Sequence, residues 1–235
     1  MTTIGDNLQS QRARLWRACE QAGRAPDAVR LLAVSKTFGP DAVREALAAG
    51  QLAFGENYVQ EGVDKIAAVS ASGAVPGIEW HCIGPLQSNK TRPVAEHFDW
   101  VQSVDRLKIA QRLSEQRPSH LAPLQICLQV NVDGGANKSG VSPAELPALA
   151  AAVAALPRLK LRGLMAIPEP APDFDSARAV FAQVRALFDA LNAQGLGLDT
   201  LSMGMSDDLE AAVAAGSTMV RVGRGVFGAR SYAPT

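Results

Sequence analysis

The sequence predicts a single (β/α)8 barrel of the α/β class, a TIM barrel with one extra helix at its N-terminus, formed by residues 1–235. Two observations carry that expectation. Eight short β-branched or apolar runs recur roughly every 20 to 30 residues, and the stretches between them space apolar residues at helical intervals. No linker, composition shift, internal repeat or low-complexity tract interrupts the alternation, and eight strands each followed by a helix in 235 residues suit a compact barrel. A doubly wound open sheet is the competing topology.

The elements follow in order. An opening helix carries Ile4, Leu8, Leu15, Cys19 and Ala22 on one face. The first strand is Val29 to Ser35 (VRLLAVS), and Pro40 opens the next helix, where its missing N–H costs nothing. Further strands are expected at Leu52 to Gly55, Glu79 to Gly84, Trp100 to Val104, Leu124 to Asn131, Leu159 to Ile167, Thr200 to Met203 and Thr218 to Val222. The plainest helix is Asp173 to Ala193, where Phe174, Ala177, Phe181, Val184, Phe188 and Leu191 form one apolar stripe. The Ala-rich stretch Leu146 to Leu156 is a second.

Composition narrows the function. Lys+Arg and Asp+Glu number 23 each, so the net charge is zero, and no basic run offers the stripe a nucleic acid needs. No segment approaches the ~18 apolar residues of a membrane span, and the N-terminus MTTIGDNLQS lacks the regions of a signal peptide. A cytoplasmic protein is expected. Cys19, Cys82 and Cys127 lie far apart, as do His81, His97 and His120, so neither a disulfide framework nor a metal site can be read from them.

Two nucleotide-binding signatures fail on inspection. GRGVFG at Gly223 to Gly228 matches G-x-G-x-x-G, but only seven residues follow it, too few for the rest of a βαβ unit or a ribose-binding acid. GGANKSG has Asn137 where a Walker glycine belongs and lacks the required spacing, which leaves a glycine-rich turn whose Lys138 or Ser139 is open to a ligand contact.

In a barrel of this class the residues at the C-terminal ends of the strands build the site. Lys36 ends the first strand, and its position alone allows two readings. It is either a solvated ammonium, or an amine partly desolvated behind LLAV and able to form a Schiff base with an aldehyde. Asn57 is either a helix cap or an amide that orients a ligand hydroxyl. His81 suits a hydrogen-bonded core position better than the barrel mouth. Met165, Met203 and Met205 are core filler or soft walls against an aromatic ring.

The last strand is the most informative. Arg221 sits inside the apolar run TMVRVG, where an always-charged guanidinium must find an acceptor or reach the mouth. Gly223 and Gly225 leave backbone N–H groups available where barrels often bind phosphate. Ser206, expected to N-cap the helix after the seventh strand, adds a hydroxyl, while Asp207 and Asp208 complement that helix's dipole. A Schiff-base lysine, a phosphate cup and an arginine across the mouth describe a pocket for a phosphorylated aldehyde, and pyridoxal 5′-phosphate (PLP) meets all three requirements.

The segments LLAVSKTF, FGENYVQE, HCIGPLQSNK, NKSGVSP, GLMAIP, LSMGMSDDLEAAVAAGSTMVRVG and VFGAR resemble the successive motifs of the pyridoxal phosphate homeostasis family, also called the proline synthetase co-transcribed homologue family. The likeness runs from about residue 31 to 230, and the motifs together are far more specific than any one. It implies a single barrel like the N-terminal domain of alanine racemase, holding PLP without established turnover. It further implies a role in balancing vitamin B6 and amino acid pools, with apo PLP-dependent enzymes as possible recipients and a monomeric state.

The resemblance also assigns residues. Lys36 forms the internal aldimine and Arg221 faces the pyridine nitrogen. Ser206, Gly223 and the backbone of Arg224 hold the phosphate, and Asn57, His81, Met165 and Ser202 line the ring pocket. Two departures stand out. Many members carry Thr at the position of Arg224, so a hydroxyl contact to phosphate is lost here, the backbone N–H remains, and the guanidinium is the candidate replacement. Some carry a basic residue where this chain has Phe38, which weakens the basis for a second, lysine-linked PLP site.

Two enzyme readings compete with a carrier or regulator. A PLP-dependent amino acid racemase needs bases on both faces of the cofactor, and Tyr58 and Tyr232 are a poor basis for the second. A cofactor-free aldolase using Lys36 needs acid and base partners on mid-barrel strands, and Asp133 and Glu169 both fall in loops. An arginine opposite the pyridine nitrogen disfavours its protonation and weakens the ring as an electron sink.

Overall fold

A computed structural model of the protein describes residues 2–134 and 139–229. In chain order the elements are α1 (Ile4–Gln21), β1 (Arg30–Val34), α2 (Pro40–Ala48), β2 (Ala53–Glu56), α3 (Val59–Ser70), β3 (Glu79–Cys82), α4 (Thr91–His97) and β4 (Trp100–Val104). They continue with α5 (Leu107–Gln116), β5 (Leu124–Gln129), α6 (Leu146–Ala154), β6 (Leu159–Met165), α7 (Phe174–Ala193), β7 (Thr200–Ser202), α8 (Leu209–Ala214), β8 (Met219–Val222) and α9 (Arg224–Phe227). All neighbouring strands pair in parallel and β8 closes on β1, so the sheet is a closed barrel and the open-sheet alternative is excluded. Each expected strand is present: β4 keeps its expected bounds, β2 is shifted by one residue, and the other six are shorter by one or two residues where the backbone leaves the ladder to enter a loop. Among the described residues no helix is long and apolar enough to cross a membrane.

Local chemistry explains the ends of the elements. Thr3 and Asp6 form a reciprocal capping box at the start of α1. Asp173 caps α7 by accepting from the Ser176 amide, and Pro40 occupies the first turn of α2. The extra helix α1 packs against α2, α8 and α9 through Leu8, Leu15, Ala18 and Cys19. Because α8 and α9 have only six and four residues, α1 supplies the apolar cover that they are too short to give. The close approach of β6 to β7 rests on Gly163, where a Cβ would overlap the Thr200 carbonyl outright.

Strand alternation divides the apolar residues in two. Residues facing outward join one large core with the helices, including Leu31, Ala33, Phe54, Cys82, Val101 and Ile126. Two small apolar groups fill the lumen: Leu32, Val34, Ala53, Ile83 and Met219 on one side, Trp100, Cys127 and Met165 on the other. Both buried thiols there and behind β3, Cys127 and Cys82, are pushed up to about 12 by desolvation and are chemically inert.

Between the two lumen groups runs a chain of polar side chains with consistent donor direction. Arg221 Nη1 donates to Ser202 Oγ at 2.9 Å, and Ser202 Oγ donates to Gln102 Oε1 at 2.6 Å. Gln102 Nε2 lies 2.9 Å from His81 Nδ1, so this nitrogen is the acceptor and Nε2 carries the proton toward Glu79, 3.4 Å away. The His81 ring also stacks on Trp100 with centroids 5.0 Å apart.

Burial lowers the pKa of His81 below its usual value, so the folded protein holds the neutral ring. The hydrogen bond from His81, aided by Arg30, holds Glu79 down to about 2. A histidine with a depressed folded pKa stabilises the fold above its unfolded pKa of about 6.5 and loses that contribution as the pH falls. Glu79 adds a second loss below about 4.5. Urea unfolding of wild type and His81→Phe between pH 7.5 and 5 should diverge in slope by no more than about 1.4 kcal/mol per pH unit, the value for one proton. The wild type should be the one that loses stability; parallel curves would mean the imidazole is not held neutral.

Candidate functional site

Alternation that sends Leu32 and Val34 into the lumen sends Lys36 the same way, one step above them at the C-terminal mouth. There Lys36 lines a cavity of about 250 Å³ together with Val34, Asn57, Ile83, Ile167, Met205, Ser206, Asp207, Arg221, Gly223 and Arg224. Larger hollows exist, including one of about 620 Å³ beside Trp16 and Leu52 at the opposite end of the barrel. Size does not single out the site; convergent chemistry does. Among the described residues, the cavity at the mouth combines an amine, a buried guanidinium and a glycine turn.

Arg221 is buried, and desolvation brings its guanidinium down to about 10, partly offset by Asp208. It stays charged at neutral pH, held by three hydrogen bonds: Nη1 to the Ser202 carbonyl and hydroxyl at 2.8 and 2.9 Å, and Nη2 to the Ala166 carbonyl at 2.8 Å. Five N–H groups are available on an arginine, and among the described residues no acceptor meets Nε or the second Nη2 hydrogen. A cation fixed by these three acceptors and lining the cavity therefore keeps two N–H donors that no described acceptor uses.

The side of the cavity at the end of β8 is main chain. Gly223 stands at the N-cap of α9, and among the described residues no group accepts from the amides of Gly223, Arg224 and Gly225. A Cβ at Gly223 would touch only Val34, its carbonyl oxygen at 3.4 Å, so the protein leaves that space open. Gly225 is required for another reason, since a Cβ there would meet Gln11 and Val222 at 2.8 and 2.9 Å. At the rim Arg224 pairs loosely with Asp207, 3.4 Å apart and both largely exposed. A primary amine, a fixed cation and amides that meet no acceptor among the described residues suit a small ring that bears a carbonyl, an acceptor atom and an anionic group.

Six of the nine residues expected at the site therefore meet at one cavity: Lys36, Asn57, Ser206, Arg221, Gly223 and Arg224. His81, Met165 and Ser202 do not line it. They are fully buried one layer below, His81 and Ser202 in the polar chain and Met165 against Trp100 and Cys127. The wall is formed by Ile83 and Ile167, each two residues farther along the same strand direction, a step that alternation made available but did not rank. Ser206 is not the N-cap of α8. Asp208 holds that position and accepts from the Met205 amide at 2.6 Å, while the Ser206 carbonyl accepts from Arg14 at 2.7 Å. Met205 and Asp207 line the cavity without having been counted among the site residues. Lys138 and Tyr232 lie outside the described residues.

Comparison with known proteins gives a consistent answer. The family model of the alanine racemase N-terminal domain matches residues 7–231. The pyridoxal phosphate homeostasis protein of Pseudomonas aeruginosa is 60% identical over 232 residues, which cover 99% of this chain and 98% of that one. The structure of PipY from Synechococcus elongatus with PLP bound superposes with a TM-score of 0.82 at 39% identity, covering 96% of this chain and all of that one. Alanine racemase from Corynebacterium glutamicum shares the fold at a TM-score of 0.69 and 18% identity, with 92% of this chain matched to 60% of that enzyme. The chain thus belongs to the alanine racemase N-terminal domain family and, within it, to the pyridoxal phosphate homeostasis proteins.

Proposed function

We propose that this protein binds PLP at the barrel mouth and acts in vitamin B6 homeostasis as a carrier or regulator that passes the cofactor to apo PLP-dependent enzymes. The observation that carries the reading is the convergence of Lys36, Arg221 and the Gly223–Arg224 turn, whose amides meet no acceptor among the described residues, on one cavity. PLP supplies an aldehyde that condenses with a primary amine, with loss of water. Lys36 provides that amine, Arg221 turns its remaining donors toward the ring nitrogen, and the glycine turn receives the phosphate. Arg224 and Asp207 stand at the rim, where their exposed charges are screened by salt.

The proposed role is not racemisation. A two-base reaction needs a second proton acceptor on the ring face opposite Lys36. The titratable groups on the wall besides Lys36 are Arg221, Arg224 and Asp207, and Asp207 is engaged with Arg224. Tyr58 is exposed at the start of α3 and is not part of the wall. A donor arginine at the ring nitrogen would keep that nitrogen unprotonated and limit carbanion chemistry.

Three outcomes are expected. Purified protein should absorb as a PLP imine, and borohydride followed by peptide mapping should place the reduced label on Lys36. Lys36→Ala should lose the label, and a label chiefly on another lysine would remove the assignment. Gly223→Val should leave folding intact, because a Cβ there has room, yet weaken PLP about tenfold or more, the equivalent of one lost charge-assisted hydrogen bond. Unphosphorylated pyridoxal should change little in the same variant; equal loss of both would move the phosphate site elsewhere. In D2O neither enantiomer of alanine should exchange its α-proton at a rate that depends on Lys36, and rapid Lys36-dependent exchange would put the protein among the enzymes.

A further inference from the structure

Behind the end of β1, on the side away from the cavity, lies a buried charge cluster that the proposed binding chemistry does not use. Lys65 of α3 is almost wholly buried, and its three ammonium hydrogens have three acceptors: Glu56 Oε1 at 2.6 Å, the Ser35 carbonyl at 2.9 Å and Glu61 Oε1 at 3.0 Å. Glu56 ends β2 and points out of the lumen. Its Oε1 also accepts from Ser35 Oγ at 2.5 Å, while Oε2 is buried with no partner. Burial raises the Glu56 pKa and Lys65 works against that rise. Three charged groups and an unsatisfied oxygen in an outer-layer position are costly, and a well-packed apolar substitute would serve stability as well. Their retention calls for another role.

The contacts of the cluster supply one. Ser35 is held at its side chain by Glu56, at its carbonyl by Lys65 and at its amide by the Gly55 carbonyl. Thr37, on the other side of Lys36, has φ +70, a left-handed conformation that a β-branched residue rarely adopts. Its amide donates to Glu61 Oε1 at 2.5 Å, the same oxygen that Lys65 holds. The turn is closed by the Phe38 amide on the Ser35 carbonyl, and Phe38 stacks on Phe227 of α9 with centroids 5.1 Å apart. Both neighbours of Lys36 are thus tied to one cluster from behind, and the backbone between them cannot rotate without breaking a hydrogen bond to Lys65 or to Glu61.

We infer that Lys65, Glu56 and Glu61 form a positioning cluster that fixes the backbone on both sides of Lys36 and so holds its amine over the lumen. The cluster touches no ligand; it acts through Lys36. Without it, Thr37 relaxes toward negative φ, the β1–α2 turn opens, and the Lys36 side chain leaves the direction that β1 gives it. The reaction affected is the attack of the Lys36 amine on the ligand's aldehyde carbon, in which the new C=N bond forms and the carbonyl oxygen departs as water with the two amine protons. The proposal rests on the reading of Lys36 as the reacting amine.

The test compares two ligands on the same proteins: PLP, and pyridoxine 5′-phosphate, whose alcohol cannot condense with an amine. Glu61 is partly exposed in the first turn of α3, so Glu61→Ala spares the core. It should weaken PLP and slow imine formation about tenfold, the equivalent of one lost hydrogen bond to a charged group. Pyridoxine 5′-phosphate should bind it within about twofold of wild type. Glu61→Gln, which keeps an acceptor for the Thr37 amide, should recover most of the imine. Thr37→Gly placed in the Glu61→Ala background should recover part of it, since glycine adopts φ +70 without steric cost. Wild-type imine formation in Glu61→Ala, or equal loss of both ligands without rescue by Gln or by Thr37→Gly, would overturn the proposal. Should Glu61→Ala not fold, imine formation by Lys65→Met at the wild-type rate would overturn it, and a tenfold loss confined to PLP would support it. A borohydride label away from Lys36 in wild type would instead defeat the binding reading itself.

Discussion

A guanidinium inside a parallel barrel is the constraint around which the lumen is arranged. Lumens of this fold are ordinarily filled by branched apolar side chains in layers, and a permanent cation among them would be prohibitively desolvated. Arg221 is tolerated because acceptors converge on it from β6 and β7: the Ala166 carbonyl, the Ser202 carbonyl and the Ser202 hydroxyl. Satisfying Ser202 then requires Gln102, satisfying Gln102 requires His81, and the proton on His81 is directed to Glu79 at the far end of the barrel. Each side chain in that line has its donor direction set by the one above it, so the lumen has one arrangement rather than several. Gln102, the only amide in the line, is what allows a donor chain to pass from a hydroxyl to an imidazole.

The same alternation that admits Arg221 separates two jobs at the mouth. Inward positions of β1, β3, β6 and β8 deliver Lys36, Ile83, Ile167 and Arg221 to the cavity, while outward positions deliver Ser35 and Glu56 to the layer beneath α3. Chemistry therefore faces the lumen and its mechanical support faces the helices. Ser35 and Lys36 are adjacent in sequence yet belong to opposite faces, and a reading confined to the motif LLAVSK sees only the lysine.

Much of this is legible in the amino-acid sequence. Eight periodic runs gave the barrel, the apolar setting of Arg221 called for acceptors, and the residue types at the strand ends described a phosphorylated aldehyde. What the sequence withheld was depth. Period-two alternation says which residues face inward but not which layer each occupies; the residues themselves favoured a core place for His81, and the family likeness that assigned His81 and Met165 to the ring pocket did not separate their layer from that of Ile83 and Ile167. The Ser206 cap was misplaced by two residues because the run Ser206-Asp207-Asp208 offers three capping residues in succession, and the short turn before α8 selects the last. The Lys65 cluster was invisible for a different reason. Its members come from β2 and α3, and nothing in their local spacing distinguishes a buried Lys65 from an ordinary i,i+4 partner of Glu61 on a solvated helix face.

The two sides of the cavity differ in stiffness, and on the proposed reading that difference has consequences for a carrier. On the amine side, a buried ion cluster and the Phe38–Phe227 stack hold the turn from two directions. On the anion side the donors are the first amides of a four-residue helix, and the rim charges of Arg224 and Asp207 are exposed and only 3.4 Å paired. Exposed charges are screened by salt and contribute little to a fixed geometry, whereas buried ones are screened far less. The covalent link then sets how long the cofactor stays, and the amides and rim set how readily the phosphate is given up. A protein that must hold a reactive aldehyde and still release it is better served by this division than by a phosphate site as rigid as its lysine, because release can begin at the open side while the amine remains poised to take the aldehyde back.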